Sequence, residues 1–149
     1  MRELVNLERL GFVDTHANVL ESLGELTNLK CLYVSGSYMF DLKPLNKISN
    51  LEILFLNGPQ VESLKPLNAL IALRQLSLNL TSINDLTPLT KLPNLERLDL
   101  SLTKVSHLTP LTKLIKLKFL NLEGTKVSKS DVEKLQKKLP HTEIIFDED

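Results

Sequence analysis

The residues of this chain best suited to chemistry are its histidines, its one cysteine and its acidic side chains. Histidine acts as a general acid or base near neutral pH, and a cysteine is a nucleophile once a base activates it. His16, His107 and His141 lie far apart along the 149 residues, and no histidine is spaced to pair with Cys31. There is no H-E-x-x-H, no C-x-x-C and no glycine-rich phosphate loop. We therefore predict no enzyme activity, no catalytic residues, no metal site and no cofactor.

Charge and hydropathy exclude two classes of partner. The chain has 18 Lys and Arg against 18 Asp and Glu, whereas proteins built around nucleic acid carry a basic excess. No run of about 18 apolar residues exists that could span a membrane. Arg2, Glu3 and Glu8 interrupt the N-terminus where a signal peptide needs an apolar segment. We expect a cytoplasmic protein with no membrane span, and delivery into another cell stays open as an alternative.

Leucine dominates the sequence and recurs with a fixed period. There are 35 leucines, and six rows of apolar residues repeat every 22 residues. The first row runs from Leu7 to Leu117, and the second runs from Leu10 to Leu120. Within each repeat, the alternation around Leu-x-Leu has the period of a short half-buried strand. A repeated strand at this spacing predicts a solenoid whose neighbouring units bury one another's leucines.

The segments between the strands are too short for a long helix. About 11 residues remain in each unit, and four units carry a proline there, at Pro44, Pro66, Pro88 and Pro110. We expect tight turns of 3-10 type on the convex side. The predicted fold class is an α/β repeat solenoid: a curved array with a parallel concave sheet, short 3-10 or irregular convex segments, and a C-terminal capping helix and strand.

The repeat resembles a known family. The segments LEILFL (51–56), LRQLSL (73–78), LERLDL (95–100) and LKFLNL (117–122) match the strand pattern of leucine-rich repeat proteins. The 22-residue length and DLTPLTKLPNL (85–95) are similar to the bacterial internalin-type class, and also to the leucine-rich regulatory subunit of protein phosphatase 1. The resemblance implies one leucine-rich repeat domain over 1–149 that recognises proteins. Its units are about 5–26, 27–48, 49–70, 71–92, 93–114 and 115–140, with a C-terminal cap at about 128–149.

Departures from the pattern predict local features. Many leucine-rich repeat proteins carry Asn just after the strand. This chain has Thr or Ser there in every unit except the third, which has Pro59. The proline predicts an altered turn in the third unit. Ser130 to Glu133 reads as a capping box that opens a helix, Pro140 ends the helix, and Glu143–Phe146 forms a final strand. Only six residues precede Leu7, which is enough for a minimal cap at most. If these residues cap the first strand, we expect a monomer. If the edge of that strand stays open, it can pair with a second chain, and we expect a weak dimer through this N-terminal edge.

Residues that alternate with the core leucines point to the concave face. We predict that Cys31, Tyr33, Ile53 and Phe55 form an exposed apolar patch there, with Cys31 as an accessible thiol. Alternatively, Tyr33 and Phe55 pack on each other and stabilise the sheet, and Arg97 and Asp99 pair along their strand. The predicted protein-binding residues are Cys31, Tyr33, Ile53, Phe55, Asn57, Gln75, Arg97, Asp99 and Phe119. Loop residues that follow the strands are further candidates: Tyr38, Phe40 and Gln60.

These observations predict a non-catalytic module that binds a protein partner on its concave face. One alternative is an immunity or inhibitor protein, or a delivered effector, that blocks a partner enzyme. A second alternative is a structural spacer cut from a longer array. Nine lysines between Lys104 and Lys138, against three acids, form either a solvated convex surface or a basic docking patch.

Overall fold

The strands form one parallel sheet. The computed structural model describes residues 6–13, 19–36 and 41–148. Its seven strands are hydrogen-bonded in chain order. Neighbouring strands among the first six are shifted by 22 residues, so that Leu10, Leu32 and Leu54 are in register, and the seventh is shifted by 24 from the sixth. This arrangement confirms the predicted fold class. The strands are β1 (Arg9–Val13), β2 (Cys31–Ser35), β3 (Ile53–Asn57), β4 (Gln75–Ser77), β5 (Arg97–Asp99), β6 (Phe119–Asn121) and β7 (Glu143–Ile145).

The return segments are 3-10 helices, as predicted. Proline occupies one of the first two positions in four of them, where its fixed φ suits the turn and its missing N–H costs nothing. Each closes with backbone bonds such as Leu45 N to Leu42 O at 3.0 Å. The five segments are Val19–Glu25, Lys43–Lys47, Lys65–Ala69, Thr87–Lys91 and Thr109–Lys113.

The leucine rows fill the space between the sheet and the returns. Leu54, Leu76, Leu98 and their equivalents are almost completely buried. A further buried row, which the sequence analysis did not single out, closes each return segment: Leu26, Ile48, Leu70, Leu92 and Leu114. Each of the first five units therefore contributes one more core residue than predicted, and adjacent units share a continuous core.

Threonine occupies the turn position after the strand at which many leucine-rich repeat proteins have Asn. The hydroxyls of Thr81, Thr103 and Thr125 each donate to the carbonyl three residues earlier, at 2.6–2.7 Å. Thr81 and Thr103 are buried, so these bonds satisfy polar groups that water does not reach. This confirms that a hydroxyl can stabilise the turn.

The turn that precedes Pro59 differs from the later ones, as predicted. At the repeat position just after each strand, Leu80, Leu102 and Gly124 are left-handed, with φ of 61°, 56° and 68°. Gly58 instead has φ 144°. Pro59 disfavours the α regions for the residue before it, but it is not the sole cause of this form, because Gly36 precedes Ser37 and adopts the form too. Gly36 shares the altered form, with φ 148°.

The C-terminal cap is a helix followed by a strand. Helix α1 spans Lys129–Lys138, and it buries Val132 and Leu135 on its inner face. The predicted capping box was wrong by two residues. The N-cap is Ser128, whose hydroxyl oxygen accepts from Asp131 N at 3.2 Å and donates to the Asp131 carboxylate at 2.8 Å. Ser128 and Ser130 each stand three residues before an acidic residue, so both fit the capping pattern in sequence. Ser128 is the N-cap because its backbone is extended, as an N-cap residue requires.

Several predictions fall outside the described residues. They concern the minimal cap before Asn6, the turn threonine Thr15, His16, and the loop residues Tyr38 and Phe40. Strand β1 is one edge of the sheet, and dimerisation through it stays a prediction. In the part of the chain that the structure describes, no helix is long and apolar enough to cross a membrane.

Candidate functional site on the concave face

The apolar patch, defined as Cys31, Tyr33, Ile53 and Phe55, lies on β2 and β3. The register of these strands places Tyr33 beside Phe55, and their rings stack with centroids 4.6 Å apart and planes 15° apart. The alternative that the two rings pack on each other is therefore confirmed. Tyr33 nevertheless remains 41% exposed. Val13, at the end of β1, is a diagonal neighbour on the same face and is 72% exposed, so it extends the patch.

Cys31 is not the accessible thiol that the sequence predicted. Its side chain is only 2% exposed. Cys31 lies in register between Arg9 and Ile53, and its thiol interacts with Tyr33, so a small side chain is covered by longer neighbours. The hydrogen bond with Cys31, followed by the loss of solvation, raises the pKa of Tyr33 above its ordinary value. Cys31 is therefore a covered thiol on the concave face rather than an accessible one.

A polar network occupies the centre of the face. It consists of Ser77, Asn79, Asp99 and Ser101, on or just after β4 and β5. The Asp99 carboxylate accepts from Ser77 Oγ at 3.2 Å, from Ser101 N at 3.0 Å and from Ser101 Oγ at 2.6 Å. Asn79 Nδ2 donates to Ser101 Oγ at 2.8 Å. Ser77 and Ser101 alternate with core leucines and so point to the concave face, but these short side chains are buried and hydrogen-bonded to their neighbours.

Arg97 and Asp99 do not pair with each other. The Arg97 guanidinium lies over the Phe119 ring, 4.5 Å from its centroid, and forms a cation–π contact across the strands. Gln75 lies between Ile53 and Arg97 in the register, and it separates the apolar patch from this contact. The alternative of an Arg97–Asp99 pair is wrong, since the two partners have other contacts.

Asn57 is the one predicted site residue with an unmet polar atom. Its Oδ1 is buried and accepts no hydrogen bond within the described structure. The residue ends β3, directly before the altered turn at Gly58, and its backbone carbonyl accepts from Gly36 N at 3.2 Å. Asn57 follows Phe55 of the apolar patch by two residues, on the same face of β3, and Asn79 of the polar network occupies its position in the next unit.

A row of alternating charge borders the sheet, and the sequence analysis missed it. The row, which we call the charge ladder, stands one residue before each of the first six strands and reads acid, base, acid, base, acid, base. Ion pairs join Glu8 to Lys30 at 2.8 Å, and Glu96 to both Arg74 and Lys118 at 2.6 Å. Hydrogen bonds from Lys118 and Arg74 lower the pKa of Glu96. The ladder comprises Glu8, Lys30, Glu52, Arg74, Glu96 and Lys118. An open polar groove of about 440 Å³ lies along its first half.

Two other surfaces stand apart from the concave face. Ile71 and Ile115 are 58% and 82% exposed in the turns that lead into β4 and β6. On the convex side, α1 exposes Lys134, Lys137 and Lys138, and Lys134 pairs with Asp131 at 3.1 Å.

The structure also locates the groups considered for catalysis. His107 and His141 are exposed and lie in different units. Among residues 6–13, 19–36 and 41–148, no group of three His, Cys, Asp or Glu side chains is placed to hold a metal ion.

Solved structures resemble this chain over most of its length. The internalin InlF of Listeria monocytogenes matches with a TM-score of 0.74 and 27% identity, covering 85% of this chain and 36% of that one. Internalin C2 of the same species matches with a TM-score of 0.76 and 27% identity, covering 87% and 57%. A leucine-rich repeat protein of Leptospira interrogans gives 0.80 and 25%, covering 97% and 38%. This chain thus spans less than two thirds of each. No protein-family model matches the sequence, and no curated protein does.

Repeat length and structural similarity agree on the family. The parallel strands recur every 22 residues, and short 3-10 segments return from one strand to the next. Two of the similar structures are internalins, and the third is another leucine-rich repeat protein. The chain therefore has the leucine-rich repeat fold, and it resembles bacterial internalins in repeat length and in structure.

Proposed function

We propose that this protein is a non-catalytic interaction module that binds a protein partner on its concave face. The observation that carries the proposal is the exposed Tyr33–Phe55 stack beside the polar network. Contiguous apolar surface with a polar border is typical of interfaces, and aromatic residues often supply most of the binding energy. The proposed binding residues remain Cys31, Tyr33, Ile53, Phe55, Asn57, Gln75, Arg97, Asp99 and Phe119, with Cys31 as a covered thiol of the face.

The side chains of the face contact one another in the absence of a partner. The two rings stack on each other, Arg97 lies on Phe119, and three donors hold the Asp99 carboxylate. Side chains that are already ordered lose little entropy on binding, which favours affinity. A network whose members satisfy one another also presents a fixed pattern of polar groups to a partner.

The size of the face limits the affinity it can support alone. Seven strands about 4.8 Å apart, each exposing about five residues, give a flat projection of roughly 500 Å². A standard interface takes about 800 Å² from each partner. We therefore expect the partner also to contact a rim of the sheet, on the side of the turns after the strands, where Gln60 and Leu80 are exposed.

The proposal is tested with two variants that make the same chemical change at different places. Tyr33→Glu adds a charge to the exposed stack, and Ile115→Glu adds one to an apolar residue away from the concave face that is 82% exposed. Wild type and both variants serve as bait in a native lysate, with folding checked by circular dichroism. A protein captured by wild type and Ile115→Glu but lost with Tyr33→Glu supports the proposal. Capture that is unchanged by Tyr33→Glu and lost with Ile115→Glu contradicts it.

The spacer alternative has one observation in its favour. The chain spans only 36–57% of two internalins that it resembles. A spacer has no partner of its own, so all three baits would then capture nothing. The inhibitor or effector alternative uses the same face, and it differs only in that the captured protein is an enzyme whose activity falls on binding.

A further inference from the structure

We infer that the partner places a lysine or arginine side chain against Asp99, beside an apolar side chain seated on the Tyr33–Phe55 stack. This inference rests on the proposed function, because it names the chemistry of the segment that the concave face would bind. The argument starts from the charge of Asp99, which the fold leaves without a counter-ion.

The Asp99 carboxylate has hydrogen-bond donors but no cation. Its three donors are neutral groups of Ser77 and Ser101. Within the described residues no Lys, Arg or His nitrogen lies within 4.0 Å of it, and Arg97 on the same strand is engaged by Phe119. A half-buried carboxylate gains from a cation more than a fully solvated one does, because solvent screens it less.

One oxygen of Asp99 retains capacity for a further donor. Oδ1 accepts two hydrogen bonds, at 2.6 Å and 3.0 Å, whereas Oδ2 accepts only the longer bond from Ser77 at 3.2 Å. Each carboxylate oxygen has two lone pairs. Oδ2 can therefore take a charge-assisted bond from an ammonium or a guanidinium group without displacing the network.

The turn after β5 does not require the charge. In the next unit Asn121 occupies the equivalent position, and its Oδ1 accepts from Glu123 N at 3.0 Å, as Asp99 Oδ1 accepts from Ser101 N. A neutral amide therefore closes the same turn. The negative charge at Asp99 is the feature that the local fold leaves unexplained, and a cationic partner group accounts for it.

The spacing fixes what the partner segment looks like. Asp99 is on β5, Phe55 is on β3 and Tyr33 is on β2, all at the same position within their strands. At about 4.8 Å between strands, the carboxylate lies roughly 10–14 Å from the rings. A segment that crosses the strands therefore needs an apolar side chain and a basic side chain about this far apart, which is three to four residues in extended conformation.

The test is a selection of random twelve-residue peptides displayed on phage, carried out in parallel on wild type and variants. Asp99→Asn removes the charge and keeps the oxygen that closes the turn. Glu123→Gln removes a neighbouring exposed charge and serves as the matched control, and Tyr33→Glu reports on the apolar patch. All four proteins are first compared by thermal unfolding, so that a folding defect is recognised before binding is interpreted.

The expected result is a set of wild-type peptides in which Lys or Arg recurs three to four residues from an aromatic or aliphatic residue. Synthetic copies should bind Asp99→Asn at least about tenfold more weakly, because a charge-assisted bond is lost, and should bind Glu123→Gln unchanged. Their affinity for wild type should also fall as salt is raised, and this dependence should shrink in Asp99→Asn.

The outcomes separate this inference from the function on which it rests. Peptides that require Tyr33 but contain no recurrent basic residue, or that bind Asp99→Asn as well as wild type, overturn the role of Asp99 and leave the concave site intact. Selected peptides that bind Tyr33→Glu undiminished, or a selection that enriches nothing on wild type, overturn both.

Discussion

Gly58 is the position where a single methyl group should cost the fold most. Its φ of 144° lies in a region that essentially only glycine populates, and holding another residue there costs about 1–3 kcal/mol. A Cβ built on Gly58 would lie 2.3 Å from the backbone oxygen of Gly36. A backbone atom cannot rotate away, so the neighbouring turn must shift as well. We expect Gly58→Ala to lower the free energy of unfolding by about 2–4 kcal/mol.

The left-handed turn used at Leu80 and Leu102 is a conformation that a side chain can tolerate, at about 1–2 kcal/mol. Gly58→Ala cannot move into it easily, because Pro59 disfavours that conformation for the residue before it. Replacing Pro59 by Thr, as in the later units, removes the restriction. The double variant Gly58→Ala/Pro59→Thr should therefore recover part of the lost stability.

The measurement is urea unfolding followed by circular dichroism, with Gly11→Ala as the matched control. A Cβ at Gly11 would meet only Tyr33 Cβ at 3.7 Å, an ordinary contact. If Gly58→Ala lowers the stability by less than about 1 kcal/mol, or by no more than Gly11→Ala does, the argument from backbone conformation is refuted. A double variant no more stable than Gly58→Ala would refute the role assigned to Pro59.

Three further predictions concern the core, the charge ladder and the thiol. Leu98→Ala removes a fully buried side chain and should cost about 2–5 kcal/mol in urea unfolding, whereas Ile115→Ala, at a position 82% exposed, should cost less than about 0.5 kcal/mol; equal losses would contradict the burial. The pKa of Glu96 is lowered by its two cationic neighbours, so its contribution to stability is present above its ordinary pKa of 4.5 and is lost as the pH falls through the lowered value. Glu96→Gln should remove that part of the acid-side fall in the urea midpoint, and an unchanged pH profile would count against the ion pairs. Cys31 should react with a thiol reagent slowly in the native protein and rapidly in urea, and a fast native reaction would show that the thiol is not covered.

The sequence predicted the direction of each side chain better than its depth. The 22-residue period fixed which residues face the core, and the structure buries Leu54, Leu76 and Leu98 accordingly. Cys31 and Ser77 point to the concave face as predicted, yet they are buried. Alternation along a strand gives only the face of the sheet, whereas burial depends on the length of neighbouring side chains on other strands, which one repeat does not specify.

Contacts between units were the least predictable part of the site. Tyr33 and Phe55 were placed side by side from the register alone, and they stack. The contact of Arg97 with Phe119 was not predicted, because a long side chain can reach either along its strand or across to the next. The charge ladder was visible in the sequence as a row of alternating sign, and it would have been found by comparing charged residues as well as leucines at each repeat position.

The charge ladder repeats over two units of the array, whereas the core repeats over one. The leucines repeat every 22 residues, but the signs of the ladder repeat only every 44. Excising one unit around Arg74 would bring Glu52 next to Glu96, and like charges on adjacent strands repel. Excising the two units around Arg74 and Glu96 would instead bring Glu52 next to Lys118. Gain or loss of repeats by recombination should therefore be tolerated better in pairs than singly.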